Sequence, residues 1–198
     1  MATPPVTSKF DEATAILTGD ALQARAFEII AGDEALTTDQ RLGIVRHLAR
    51  AAGPTGMVGG QTIDLAAEDT EISAEALVDM HNRKTGALIA ASVVCGAICA
   101  NADSTRLAAM SEYGFALGLA FQVRDDILDE AGDAERLGKA TGADKGKRKS
   151  TFVSTYGLEA SMAELDRLRQ RALNSLAPLG SSGKPLADMA EFIASRDH

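Results

Sequence analysis

Apolar residues along this 198-residue chain recur every three or four positions, the period of a helix packed on one side, and no segment shows the two-residue alternation of a strand. Phe10, Ala13, Ile16, Leu17, Ala21, Ala24, Phe27 and Ile30 predict an amphipathic core helix from Lys9 to Ile30, weakest at Gly19. Thr38 is positioned to cap a second helix, Asp39 to Ala52, which Gly53-Pro54 stops, and a third begins near Thr55 and runs through Met57, Val58, Ile63 and Leu65. Ser73 opens a long helix reaching Ala100. After Asn101-Ala102-Asp103 another extends from Ser104 to about Glu130. Gly132 to Lys149 reads as a glycine- and lysine-rich loop, after which the helical pattern resumes over Leu158 to Leu176 and Leu186 to Ser195. The fold class is all-α.

Length and composition narrow this picture. A hydrophobic content of 45% over 198 residues, with no low-complexity tract, supports a single helical domain with a substantial core. Twenty basic against 28 acidic residues leave a net charge of −8, which disfavours nucleic acid and anionic membranes as partners. The longest apolar stretch, Ala87 to Ala100, is shorter than the roughly 18 to 20 residues a membrane span needs and reads as a buried core helix. Met1 to Ser8 is polar and carries prolines, unlike a secretory signal, so a cytoplasmic location is expected. Cys95 and Cys99, four residues apart in the apolar stretch, supply neither a zinc site nor a disulfide framework and read as core thiols.

The chemistry concentrates in Phe121-Gln122-Val123-Arg124-Asp125-Asp126-Ile127-Leu128-Asp129. With Asp125 at 0° on a helical wheel, Asp129 falls at about 40°, Gln122 near 60° and Asp126 at about 100°, so four oxygen-bearing side chains share one face. Acids this close repel one another, roughly a few tenths of a kcal/mol per pair on a helix, and need a compensating cation or another benefit. Magnesium takes hard oxygen donors and is held by one or two carboxylates together with substrate phosphates. A solvated acidic face is the plain alternative, and the apolar flanks Phe121, Val123, Ile127 and Leu128 argue against it. Gly114 and Gly118 lie above the carboxylates on the same face, a lane that suits either close helix packing or an alkyl chain approaching the metal.

Two basic segments could hold a phosphate. Leu137 to Lys149 carries Lys139, Lys145, Lys147, Arg148 and Lys149 and follows the acidic turn closely enough to fold back over a bound anion; alone, it would read as a solvated loop. Lys84-Thr85-Gly86 enters an apolar helix, where Lys84 is either a diphosphate ligand or a lysine snorkelling at the core edge. His81, one turn earlier, reads as structural and stays outside the site. Gly59-Gly60 permits a close backbone approach, and Gln61 and Asp64 are weaker candidates for the cleft wall.

With these segments in order, the chain resembles the short-chain trans-prenyl diphosphate synthases, the farnesyl and geranylgeranyl diphosphate synthase family. The resemblance is carried by Phe10-Asp11-Glu12-Ala13-Thr14-Ala15-Ile16-Leu17, Met57-Val58-Gly59-Gly60-Gln61, Lys84-Thr85-Gly86-Ala87-Leu88-Ile89, Phe121 to Asp129, and Lys149-Ser150-Thr151-Phe152. It implies an isoprenoid-synthase-type helical bundle, a homodimer, and a prenyltransferase of isoprenoid biosynthesis that joins an allylic diphosphate to isopentenyl diphosphate with Mg2+. It places the metal on Asp125, Asp126 and Asp129, diphosphate contacts on Lys84, Lys139 and Lys149, and catalytic roles on Asp125, Asp126, Lys84, Thr85 and Gln122. The Ile16 to Asp20 segment resembles the bacterial farnesyl-type branch.

One departure matters. The family's first aspartate-rich motif precedes the segment matched at Phe10, and Met1 to Lys9 contain no acid, so the chain reads as the C-terminal portion of the family fold. The sequence therefore leaves two expectations side by side: a synthase lacking that N-terminal part, or a catalytically inactive homologue acting as a diphosphate-binding or partner subunit.

Overall fold

The computed structural model describes residues 9–68, 70–137 and 150–197, with backbone alone for 131–137, and among these every regular element is helical. The chain divides into two compact units, one ending at Arg46 and the other starting at His47.

In the first unit, α1 (Glu12–Gly32) is capped by Asp11, whose carboxylate accepts from the Thr14 backbone N–H at 2.7 Å and its hydroxyl at 3.0 Å. The predicted core helix buries no residue: Ile16, Leu17, Leu22 and Ile29 are all exposed. At 100° per residue Leu22 and Ile29 lie across the cylinder from the Ile16 and Leu17 side, so apolar residues surround the helix, a pattern that ordinarily calls for covering on every side. Thr37, one residue earlier than expected, starts α2 (Thr38–Ala52). Its hydroxyl accepts from the Gln40 N–H at 3.2 Å while the Gln40 side chain accepts from the Thr37 N–H at 2.9 Å, a reciprocal cap.

The second unit takes in the end of α2 and continues with α3 (Met57–Ala66), α4 (Ala74–His81), a π turn (Asn82–Gly86), α5 (Ala87–Cys99), α6 (Ser104–Leu137), α7 (Phe152–Tyr156), α8 (Leu158–Ser175), a 3-10 turn (Ala177–Gly183) and α9 (Lys184–Ser195). Ser73 caps α4 as expected, accepting from the Ala76 N–H at 3.2 Å. The single helix expected from Ser73 to Ala100 is continuous in path but changes register at the π turn. The acidic helix runs to Leu137, so helical backbone replaces the first part of the expected loop.

α6 is the axis of this unit. On one side Leu119, Val123 and Ile127 pack with Leu77, Met80, Phe152, Leu165 and Leu168; on another Met110, Tyr113, Ala116 and Leu117 pack with Val94, Ala172, Leu176, Ala190 and Ile193. Removing a large side chain of this kind from water contributes about 1.5–3 kcal/mol, so these clusters hold the helix that carries the acids. The Tyr113 hydroxyl donates to the Leu186 carbonyl at 2.7 Å, and burial pushes its pKa up to about 12, keeping it a neutral donor.

The glycine lane is a packing seam. Gly114 meets the backbone of Ala90, and a Cβ on Gly118 would lie 2.6 Å from the Gly86 Cα, so α5 fills the space that an alkyl chain would otherwise have taken. α5 itself is one-sided: Ala90, Ala91 and Val94 are buried, whereas Ser92, Gly96 and Cys99 are exposed. The expectation of two core thiols is corrected with it. Cys99 is exposed and Cys95 half-buried, because the pair lies on the flank of the helix away from that seam. Among the described residues no helix is long and apolar enough to cross a membrane.

Candidate metal and diphosphate site

The π turn is pinned from two sides by glycines. A Cβ on Gly60 of α3 would stand 2.7 Å from the Lys84 Cα, and Gly118 of α6 abuts Gly86 at the other end. A π turn adds a residue to the helical ladder and so re-aims the side chains beyond it, which makes such turns frequent at functional sites. Here it presents two polar side chains to the neighbouring helices. The Thr85 hydroxyl donates to Gln122 Oε1, and the Lys84 ammonium lies 2.7 Å from the Asp64 carboxylate. Asp64 keeps only 11% of its side-chain surface exposed and Lys84 31%, so this pair sits at the edge of the core. Lys84 thus keeps its stem sheltered, as a lysine at the core edge does, with its head group held by Asp64.

One turn beyond Gln122 stand the carboxylates, in three different settings. Asp125 is paired with the Arg196 guanidinium, which also lies 4.2 Å above the Phe121 ring, and Arg124 grips the Arg196 carbonyl through Nε at 2.7 Å and through Nη2. Asp126 is 11% exposed; its Oδ2 accepts from the Phe152 backbone N–H at 2.7 Å and lies 3.9 Å from His81 Nε2. Burial pushes the Asp126 carboxyl up to about 6, and the negative charges of Asp129 and Asp125 add to this against the lowering effect of the Phe152 N–H. Asp129 is exposed. His81 is buried and stacked on Phe152 at 5.8 Å between ring centres; burial and the nearby Lys84 charge push its pKa down to about 4, with Asp64 opposing.

The structure thus brings Thr85 and Gln122 into contact, with Lys84 beside them on the turn and Asp125 and Asp126 next along α6. Among the described residues no three acidic, histidine or cysteine side chains gather closely enough to hold an ion unaided. Carboxylate oxygens are the donors magnesium takes, one or two of them together with phosphate oxygens and water, and here Asp125 is engaged by Arg196, Asp126 by the Phe152 N–H, and Asp129 is exposed. Lys139 and Lys149 lie outside the described residues. Three residues that contact the candidate residues stood outside or at the edge of the sequence-based site. His81 stood one turn before Lys84 and carried a visible signal; Asp64 was a weak candidate; Arg196 had no spacing signal, because it reaches Asp125 across 71 residues.

Residues 3–177 match the polyprenyl synthetase family model. The chain belongs to the polyprenyl synthetase family. It is 43% identical over 190 residues to the farnesyl diphosphate synthase of Haemophilus influenzae, covering 95% of this chain and 64% of that protein. Two solved family structures superpose on it. The FPP/GFPP synthase of Zymomonas mobilis does so with a TM-score of 0.82 and 36% identity, over 96% of this chain and 64% of that one. The geranyltransferase of Helicobacter pylori complexed with magnesium and isoprenyl diphosphate gives 0.78 and 32%, over 96% and 62%. The chain spans less than two thirds of the length of each of these three relatives.

Proposed function

We propose that this chain carries the allylic-diphosphate half of a prenyltransferase site of the farnesyl diphosphate synthase type, joining an allylic diphosphate to isopentenyl diphosphate in isoprenoid biosynthesis. The observation that carries the reading is the docking of Thr85 on Gln122, one turn before Asp125 and Asp126, which sets a cationic turn beside an acidic one. A diphosphate needs that combination: lysine for its charge, and carboxylates to retain the cation that accompanies it. The Helicobacter pylori relative, complexed with magnesium and isoprenyl diphosphate, supports the same ligand class.

Asp125, Asp126 and Asp129 would hold magnesium, with Lys84, and by resemblance Lys139 and Lys149, on the diphosphate. Bound there, magnesium supplies electrostatic stabilisation of the charge that grows on the diphosphate as the allylic carbon–oxygen bond breaks. Lys84 does the same from the protein side, since its ammonium attracts the departing group more strongly as negative charge accumulates. Thr85 and Gln122, locked to each other, keep the wall beside the allylic carbon polar but ordered. Leu119, Val123 and Phe152 behind them keep water from that face of α6. The departing diphosphate is the natural acceptor of the proton lost when the new double bond forms.

A homodimer in the cytoplasm completes the proposal. It is supported by α1, whose Ile16, Leu17, Leu22 and Ile29 are exposed, and by the lack, among the described residues, of any membrane-crossing helix. Thermal unfolding with and without magnesium plus an unreactive allylic diphosphate analogue tests the site. A rise in unfolding temperature that disappears in Asp125→Ala/Asp126→Ala is expected, and a rise of equal size in that variant would overturn the assignment.

A further inference from the structure

His81 is 6% exposed, and neither ring nitrogen makes a hydrogen bond. Leaving a buried polar atom unmatched costs about 1–3 kcal/mol, so a ring serving only to pack on Phe152 would be better as phenylalanine. The position of the imidazole suggests what offsets that cost. Nε2 lies 3.9 Å from Asp126 Oδ2, outside hydrogen-bond range but within a shift of about 1 Å of it. That same oxygen already takes the Phe152 N–H at 2.7 Å, and a carboxylate oxygen has lone pairs for two donors. Phe152 thereby ties the two groups together: its backbone holds the carboxylate and its ring stacks on the imidazole.

We propose that His81 is a positioning residue for Asp126, donating Nε2–H to Oδ2 alongside the Phe152 N–H when the acidic turn takes up a cation with diphosphate, and so fixing which carboxylate oxygen faces the ligand. The inference rests on the proposed role of Asp126 in that capture. An outer donor of this kind orders a ligating carboxylate and raises affinity without touching the ion, and its loss typically costs 10- to 100-fold in metal affinity.

The test is calorimetric titration of the 198-residue chain with inorganic pyrophosphate in magnesium, comparing wild type, His81→Phe, His81→Gln, Asp126→Asn and the double variant His81→Phe/Asp126→Asn. His81→Phe keeps the stacking and is expected to unfold at or above the wild-type temperature while binding 10- to 100-fold more weakly. His81→Gln, which restores an N–H near the Nε2 position, recovers most of the affinity. In the Asp126→Asn background the Phe substitution changes nothing further. Equal binding by wild type and His81→Phe, or an undiminished effect of His81→Phe without the Asp126 carboxylate, overturns the inference and leaves the proposed function standing. A wild type that does not bind magnesium pyrophosphate overturns both. If His81→Phe does not fold, His81→Leu takes its place under the same criteria.

Discussion

Asp126→Asn should stabilise the ligand-free protein at neutral and alkaline pH while weakening the proposed capture of a metal ion. The carboxyl titrates near 6 in the fold against 3.8 for the ordinary group, chiefly because burial disfavours its charged form. A raised pKa means that the folded state holds the proton more tightly than the unfolded chain does. This contribution to stability is fully present below pH 3.8 and is lost as pH rises through 6. At pH 8 the charge therefore costs about 3 kcal/mol, falling to about half a kcal/mol near pH 4. With only 11% of the side chain exposed, solvent does little to discount the figure. Asparagine keeps an oxygen for the Phe152 N–H and removes the charge, so the variant should gain about 3 kcal/mol at pH 8, or about 6–12 °C in unfolding temperature for a domain of this size. Urea unfolding of both proteins between pH 4 and 8 measures the gain directly. A variant no more stable than wild type at pH 8, or one equally stabilised at pH 4 and pH 8, would refute the reasoning. The predicted exchange of stability for binding is what a site built to receive a cation should show.

Three further perturbations test the scaffold and the site. Gly118→Ala sets a Cβ against the Gly86 backbone and should cost about 2 kcal/mol in urea unfolding, whereas Gly96→Ala, in open space on α5, should gain about 0.5–1 kcal/mol. Thr85→Val removes the donor to Gln122 and should cost about 1–2 kcal/mol, with Thr85→Ser restoring most of it, read by the same assay. Arg196→Gln releases Asp125 from a competing cation, so calorimetry should show a several-fold lower magnesium pyrophosphate dissociation constant, and an unchanged or higher one would mean that the Arg196 pair does not compete for the site.

How much of this was legible in the sequence follows from the range over which each interaction acts. Helical periodicity is local, so the helices over Leu158–Ser175 and Lys184–Ser195, the Ser73 cap and the acidic turn on α6 were readable from spacing alone. The π turn was not. Its register change is imposed by contacts at Gly60 and Gly118, 24 residues before and 34 after Lys84, and nothing in Asn82-Arg83-Lys84-Thr85-Gly86 announces it. The glycine lane shows the same limit from the other side, because its spacing identified a face without side chains and only the position of α5 decided between packing and cavity. α1 failed for a different reason. Its apolar spacing predicts a face able to pack, but burial also needs a neighbour to cover that face, and a local pattern does not supply one.

The site divides along the same line. Gln122, Asp125 and Asp126 were legible as candidates because they share one face of a helix, whereas Thr85 became a candidate through the family resemblance. Arg196, Phe152 and His81 set the charge and orientation of those residues from other segments, and a helical wheel cannot see them. Asp126 makes the point most sharply: spacing identified it as an acid on a crowded face. Burial, set against the opposing Phe152 N–H, is what lifts that acid's pKa to about 6, and neither the burial nor the neighbours that impose it can be read from spacing along α6.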